Sequence, residues 1–509
     1  MRLLVFASLL SLAIAQPALA KQRKAPPPKP VSSEQAANSA RASAEARAYL
    51  EVIARLDDDP AGPRLNAVIV VNPAATAEAA ALGNTGTLRG RTVLVKDNIE
   101  TRELPTTAGS LALAGNATYR DAPLVARMRA AGGVVLGKTN LSEWANIRGS
   151  RSSSGWSGVG GQTRNPHAID RNPCGSSSGS GAAVAAGMAW AAIGTETDGS
   201  ITCPASANGI VGFKPTVGLV SRSLVIPISK SQDTAGPMAR SVADAALLLG
   251  AIAGSDPADP ATLDADKYKT DLTAGLPAAS LKGVRIGVLR KQSGPHPGIN
   301  RLFDHAQADL IAGGAILVPV DYDPPGEMFR DEGLVLRFEL KEGLNAYLAA
   351  LPGTPKVRSL TEVIAFNKAT PEELRWFGQD TFESADKLDD RAAYEKARAN
   401  SLRLAGPEGI DKLLADNKVS FLIAPTEGPA WPIDLVTGDH FLPVGAGSLA
   451  AIAGYPHLTV PMGAVEGLPV GLSIIGPKWS DKAVLEAGAA YERARTVALP
   501  APAFKRWSE

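Results

Sequence analysis

At 509 residues the chain is long enough to bury a large core, and its formal charge of +1 provides no broad field to draw in nucleic acid or an acidic membrane. Fifty glycines and only 5% aromatic residues point to tight packing of small side chains in an α/β protein. The five histidines (His167, His296, His305, His440, His457) show no metal-ligand spacing, and two cysteines are too few for a zinc site.

Residues 1–20 read as a removable signal: Arg2, an apolar run over 3–15, Pro17, then Ala18-Leu19-Ala20. The run falls short of the roughly 20 residues a membrane span requires. Export to the periplasm or medium is therefore expected, with no membrane anchor in the mature form. Residues 21–31 are Pro-rich and basic, an extended linker. The main domain is expected over 32–509.

Ser32 and Gln35 spell a capping box for a helix running to about residue 56. An apolar run covers 65–71. Residues 90–95 alternate into Lys96-Asp97-Asn98, a strand delivering a lysine to a loop. A helix is predicted over 121–131, a buried strand over 133–137, the start of another helix over 141–146 and a Ser/Gly-rich loop over 149–161. Strand and helix patterns then alternate through 211–220 and 242–253. After a loose segment, 255–281, strands at 284–289 and 315–320 flank a helix at 300–312. Helices at 330–348, 360–367 and 389–405 suggest a cap, and strands at 421–424, 458–461 and 470–475 close the core. The expected architecture is one mixed β-sheet covered by helices.

Two serine-bearing glycine loops, 175–181 and 197–200, bracket a small-residue helix and a short apolar run. Small residues let a ligand approach the backbone closely, and such loops offer hydroxyls and N–H groups to a reacting carbonyl. Cys174 and Cys203 both fall here. A bond between them and two separate buried thiols both remain open, the separate thiols being preferred.

Three motifs compete. Residues 132–139 satisfy the written P-loop pattern, but Val134-Val135-Leu136 is itself the apolar strand where a flexible loop is required, so nucleotide binding is rejected. Residues 175–179 satisfy the G-x-S-x-G elbow with Ser177 at its centre, yet Pro173 argues against the strand that motif needs; His440 and His457 qualify as partners by order alone. The third constellation uses no histidine. Ser200 follows Thr197-Asp198-Gly199 ahead of a possible helix start, a sound place for a nucleophile near free N–H groups. Lys96 could act as its base only when neutral, which burial would favour; a salt bridge with Asp97 is the ordinary alternative. Ser177 is expected to brace the loop, while Trp144, Trp156 and Gln162 are candidates for a substrate groove or, for the tryptophans, for the core.

The combined runs resemble the amidase signature family: Val95-Lys96-Asp97-Asn98, Gly137-Lys138-Thr139-Asn140, 174–179, 194–204, Gly212-Phe213-Lys214-Pro215-Thr216, 233–240 and 456–461. Runs TTAGSLALAG (106–115), KTNLSEWAN (138–146), GGQTRNP (160–166), PCGSSSG (173–179) and GPEGID (406–411) are similar to its bacterial peptide amidase branch, which releases the C-terminal carboxamide of peptides as ammonia. The resemblance implies a single large amidase domain and a Ser–cis-Ser–Lys triad. Its base falls on Lys96, its bridging serine on Ser176 after a cis Gly175–Ser176 bond, and its nucleophile on Ser200. The oxyanion hole maps to the N–H groups of Thr197, Asp198, Gly199 and Ser200. The family's Gly-Gly pairs appear here as Cys174-Gly175, Ser178-Gly179 and Asp198-Gly199. No metal or organic cofactor is implied, and the expected partner is a peptide or small-molecule amide met by a monomer. A broader amidase on small aliphatic or aromatic amides and an inactive amidase-like binding protein are the competing readings; the apparent export signal argues against a glutaminase component working in translation.

Overall fold

Ser32 opens the first helix as its sequence spells. Its Oγ accepts the Gln35 N–H at 3.1 Å, while Gln35 Oε1 accepts the Ser32 N–H at 3.0 Å. The helix runs over Ser33–Ile53 and ends in a wider turn, Ala54–Asp58. The protein is described from a computed structural model covering residues 32–508, so the expected signal (1–20) and linker (21–31) lie outside the described residues.

Thirteen strands follow among the described residues: β1 (Val68–Val71), β2 (Thr92–Lys96), β3 (Val134–Thr139), β4 (Trp156–Ser157), β5 (Gly161–Gln162), β6 (Ala191–Glu196), β7 (Val211–Lys214), β8 (Thr234–Ala239), β9 (Arg285–Val288), β10 (Ile316–Pro319), β11 (Phe421–Pro425), β12 (His457–Val465) and β13 (Leu468–Ile475). Eleven form one mixed sheet in the order β1-β3-β2-β6-β8-β7-β12-β13-β11-β9-β10, and β4 pairs with β5. The runs β3-β2-β6 and β11-β9-β10 are parallel. The other pairings are antiparallel.

Side-chain alternation divides the centre of the sheet between two cores. Val93, Val95 and Ile193 join one core, under the helices Pro123–Ala130, Val242–Ile252, Pro297–Ala312 and Asp481–Ala494. Leu94, Leu136 and Ala192 join the other, under Ser33–Ile53 and Ser178–Ala185. Burial on both faces explains why β2 reads as an almost unbroken apolar run. Of the expected cap helices, Gly326–Ala349 and Leu360–Ala369 share a further core with Trp144 and the unpredicted helix Asp380–Asp386, while Arg391–Ala405 packs on Gly326–Ala349 through Tyr394 and Ala397.

Two local expectations change. The helix predicted to start at 141–146 is only the turn Glu143–Asn146, with Trp144, Ala145 and Asn146 at φ of 50°, 54° and 73°. Trp144 inserts into the cap core while its N–H donates to the Ala108 carbonyl, and these tertiary contacts override the helical pattern. β8 is not predicted as a strand because Gly236 and Pro237 dilute its pattern. It nevertheless lies between β6 and β7, and a Cβ on Gly236 would sit 2.1 Å from the Phe213 carbonyl oxygen. Because Leu94 is fully buried beneath the helix Ser178–Ala185, Leu94→Ala should cost about 2–5 kcal/mol, seen as a lower denaturant midpoint at unchanged slope.

Candidate active site

β2 and β6 are parallel neighbours with Val95 beside Ile193, so Lys96 and Thr195 reach the same sheet edge. Lys96 is fully buried. Its Nζ lies 2.8 Å from Ser176 Oγ, 2.8 Å from Thr195 Oγ1 and 3.2 Å from the Thr195 carbonyl oxygen. The salt-bridge alternative is not realised. Lys96 joins no ion pair among the described residues, and Asp97 pairs instead with Lys138 at 3.3 Å while accepting from Thr107. Burial lowers the Lys96 pKa to about 7 against the opposing pull of the Asp233 and Glu196 charges.

The Gly175–Ser176 peptide bond is cis. Ser142 N–H donates to the Ser176 carbonyl at 3.1 Å, and Ser177 N–H donates to the Ser200 carbonyl at 3.1 Å. The second bond brings the two serine loops side by side. The helix Ser178–Ala185 leaves them against β6, β2 and β3, and a Cβ on Gly179 would meet the Ala67 carbonyl oxygen at 2.2 Å. Ser177 is fully buried, with its Oγ bonded to the Thr195 carbonyl and N–H. Neither candidate histidine joins it: His457 Nε2 lies 2.6 Å from Ser473 Oγ, and His440 bonds Thr437.

After β6 the chain turns through Thr197, Asp198, Gly199 and Ser200 into the short helix Thr202–Ala207. Pro204 is tolerated in its first turn. The helix start is not open, as the sequence suggested it would be. Glu196 Oε2 accepts the N–H groups of Ile201 at 2.7 Å and Thr202 at 2.9 Å. The free donors lie one step earlier: among the described residues the N–H groups of Asp198, Gly199 and Ser200 donate no hydrogen bond. Gly199 turns them outward at φ 78°, a left-handed conformation that glycine adopts without strain. Thr197 is clamped, its Oγ1 donating to Asp233 at 2.6 Å and its carbonyl accepting from Gln232 Nε2 at 3.3 Å.

Ser200 opens into a cavity of about 380 Å³ whose walls include Gly175, Asp198, Gly199, Glu427 and Phe441. Burial, followed by the Asp198 charge, holds Glu332 well above the usual carboxylate range. Asp198 is likewise raised by burial, to about 6. Burial pushes Glu427 up to about 8. Of the two acids that wall the cavity, Glu427 is therefore largely protonated at neutral pH while Asp198 still ionises.

Cys174 and Cys203 form a disulfide with Cα atoms 5.9 Å apart, correcting the preference for separate thiols. The strand–helix unit between them folds back far enough to bring its ends together, and the pair packs on Trp431. The groove candidates do not line the cavity. Trp144 packs on Phe382, Trp156 on Phe377, and Gln162 Nε2 donates to the Ser154 and Thr163 carbonyls. Ala145, Asn146 and Ile147 line it instead. Thr195, Glu196, Glu332 and Glu427 are not singled out by the sequence; Thr195 and Glu196 lie within the family-like run 194–204, whereas the later acids carry no local motif.

A family model described as Amidase matches residues 47–485. The chain belongs to the amidase signature family. It is an amide-hydrolysing enzyme with a single amidase-signature domain. A probable amidase of Arabidopsis thaliana is 39% identical over 89% of this chain and 86% of that protein. The crystal structure of native peptide amidase from Stenotrophomonas maltophilia is 50% identical, covering 94% of this chain and 98% of that one at a TM-score of 0.86. The crystal structure of an amidase family protein from Bacillus anthracis is 34% identical, with 90% of this chain and 89% of that one covered at a TM-score of 0.82.

Thiol titration of the denatured, unreduced enzyme should find no free thiol. Two free thiols would contradict the Cys174–Cys203 bond.

Proposed function

We propose that this amidase hydrolyses the C-terminal carboxamide of peptides to the free acid and ammonia through Lys96, Ser176 and Ser200. The observation that carries the reading is the hydrogen-bond set of Lys96. A neutral amine has two N–H bonds and one lone pair. If the two protons go to Thr195 Oγ1 and the Thr195 carbonyl, the lone pair is left for the Ser176 hydroxyl. That is the arrangement a base needs.

In this mechanism Lys96 takes the Ser176 proton as Ser176 takes that of Ser200. Ser200 Oγ forms a bond to the amide carbon, and the N–H groups of Thr197, Asp198, Gly199 and Ser200 stabilise the negative oxygen. The proton returns through Ser176 to the nitrogen, the C–N bond breaks, and ammonia leaves. Water then attacks the Ser200 ester with the roles reversed, releasing the acid.

The 50% identity with peptide amidase supports the peptide-amide assignment. So does the cavity mouth, where Phe441, 52% exposed, stacks edge-on against Trp431 and offers an apolar seat for the peptide beyond the scissile amide. Export to an oxidising compartment is supported by the disulfide and by the signal pattern of residues 1–20.

Ammonia release from an amidated peptide, the matched free acid and simple amides tests the assignment. The amidated peptide should be the best substrate; release from small amides alone would favour the broader amidase, and none at all the inactive binder. Ser200→Ala and Lys96→Ala should each lower kcat by at least ~10³-fold, with Ser177→Ala retaining acyl-enzyme formation. Because the base works only unprotonated, kcat/KM should rise with pH around 7 and be lost below it, in line with the lowered Lys96 pKa.

A further inference from the structure

Thr195 Oγ1 receives two hydrogen bonds, from Lys96 Nζ at 2.8 Å and from Asn98 Nδ2 at 3.0 Å. With both lone pairs engaged, its own O–H must point elsewhere. Thr195 walls a small internal cavity together with Asn98, Thr197, Asp233 and Thr234. Its volume of about 10 Å³ is the space the centre of one water molecule needs. Two oxygens on residues of this wall, Asn98 Oδ1 and Thr234 Oγ1, are buried without a hydrogen-bond partner in the protein. Asn98 is 3% exposed and Thr234 1%, so bulk water does not satisfy them. One water would accept from the Thr195 hydroxyl and donate to both oxygens, within the usual two to four partners of a buried water. A polar wall with three unmet hydrogen-bonding groups differs from an apolar void, which stays dry.

The small cavity borders two larger ones. Arg222, Val225 and Asp233 are walls both of it and of a cleft of about 190 Å³, which includes Lys230 and Asp259. On another side it shares Ala145, Thr197 and Ile228 with the cavity holding Ser200, while the cleft and that cavity have no wall residue in common.

We infer that the small cavity binds a single water molecule, and that this water and Thr195 connect Lys96 to solvent in the Arg222–Asp233 cleft, whose walls are distinct from those of the cavity holding Ser200. The transfer is conservative. Charged Lys96 gives a proton to Thr195 Oγ1 as the Thr195 hydroxyl proton passes to the bound water, which gives one to solvent in the cleft. Lys96 ends neutral, while Thr195 and the water end as they began. The route rests on Lys96 acting as the base; the water site does not.

The test pairs a high-resolution crystal structure of the wild-type enzyme with kinetics of Thr234→Val and Thr234→Ser. A water within hydrogen-bond distance of Asn98, Thr195 and Thr234 is expected in the wild type. Thr234→Val should lower kcat ~10-fold at unchanged KM and enlarge the solvent deuterium isotope effect on kcat, and Thr234→Ser should restore both. A dry wild-type cavity overturns the inference. So do equal kcat values and isotope effects in the two variants, even if Thr234→Val loses thermal stability. If the wild-type enzyme releases no ammonia from any amide, the proposed function and the proton route fall together, and the crystal density decides the water site by itself.

Discussion

A lysine buried without a carboxylate partner is the constraint on which the rest of the site depends. Removing the Lys96 amine from water disfavours its charged form, and no ion pair among the described residues compensates. Thr195 is what makes this burial tolerable: two oxygens of one residue accept from the amine, leaving a hydroxyl partner on its third side. The same arrangement that keeps the amine from being an unsatisfied polar group directs it at Ser176.

Nearby charges are managed in the same manner. The lysine of the P-loop-like pattern, Lys138, pairs with Asp97 and donates to the Ile99 carbonyl and Thr106 Oγ1, so Asp97 is removed from competition for Lys96. The Glu196 carboxylate caps the helix after Ser200, taking up the helix-start donors so that the loop's own N–H groups face the cavity. Burial raises both Asp198 and Glu332. In the proposed mechanism an oxyanion beside Ser200 meets N–H donors, with the nearby Glu427 held largely protonated by burial.

Much of this could be read in the sequence where the signal is local. The capping box at Ser32, the strand that delivers Lys96 and the strand character of Val134-Val135-Leu136 all depend on neighbours in the chain, and each appears in the fold. Ser176 and Ser200 were found through their glycine loops and the family resemblance, and the structure brings those loops together. What was not legible depends on registers between distant segments. Thr195 meets Lys96 only because β2 and β6 are parallel neighbours. Cys174 and Cys203 meet only because the helix–strand unit returns to its starting edge. For Trp144 the sequence leaves groove and core open, and it is the left-handed turn of its backbone that sends the ring into the cap core.

The most direct measurement is an NMR titration of Lys96 in isotopically labelled enzyme, assigned by comparison with Lys96→Ala. A midpoint near 7, with the amine neutral through the alkaline range, is the predicted result. A lysine that stays charged up to the ordinary value of about 10.4 would contradict the account, because an amine without a free lone pair cannot take the proton from Ser176.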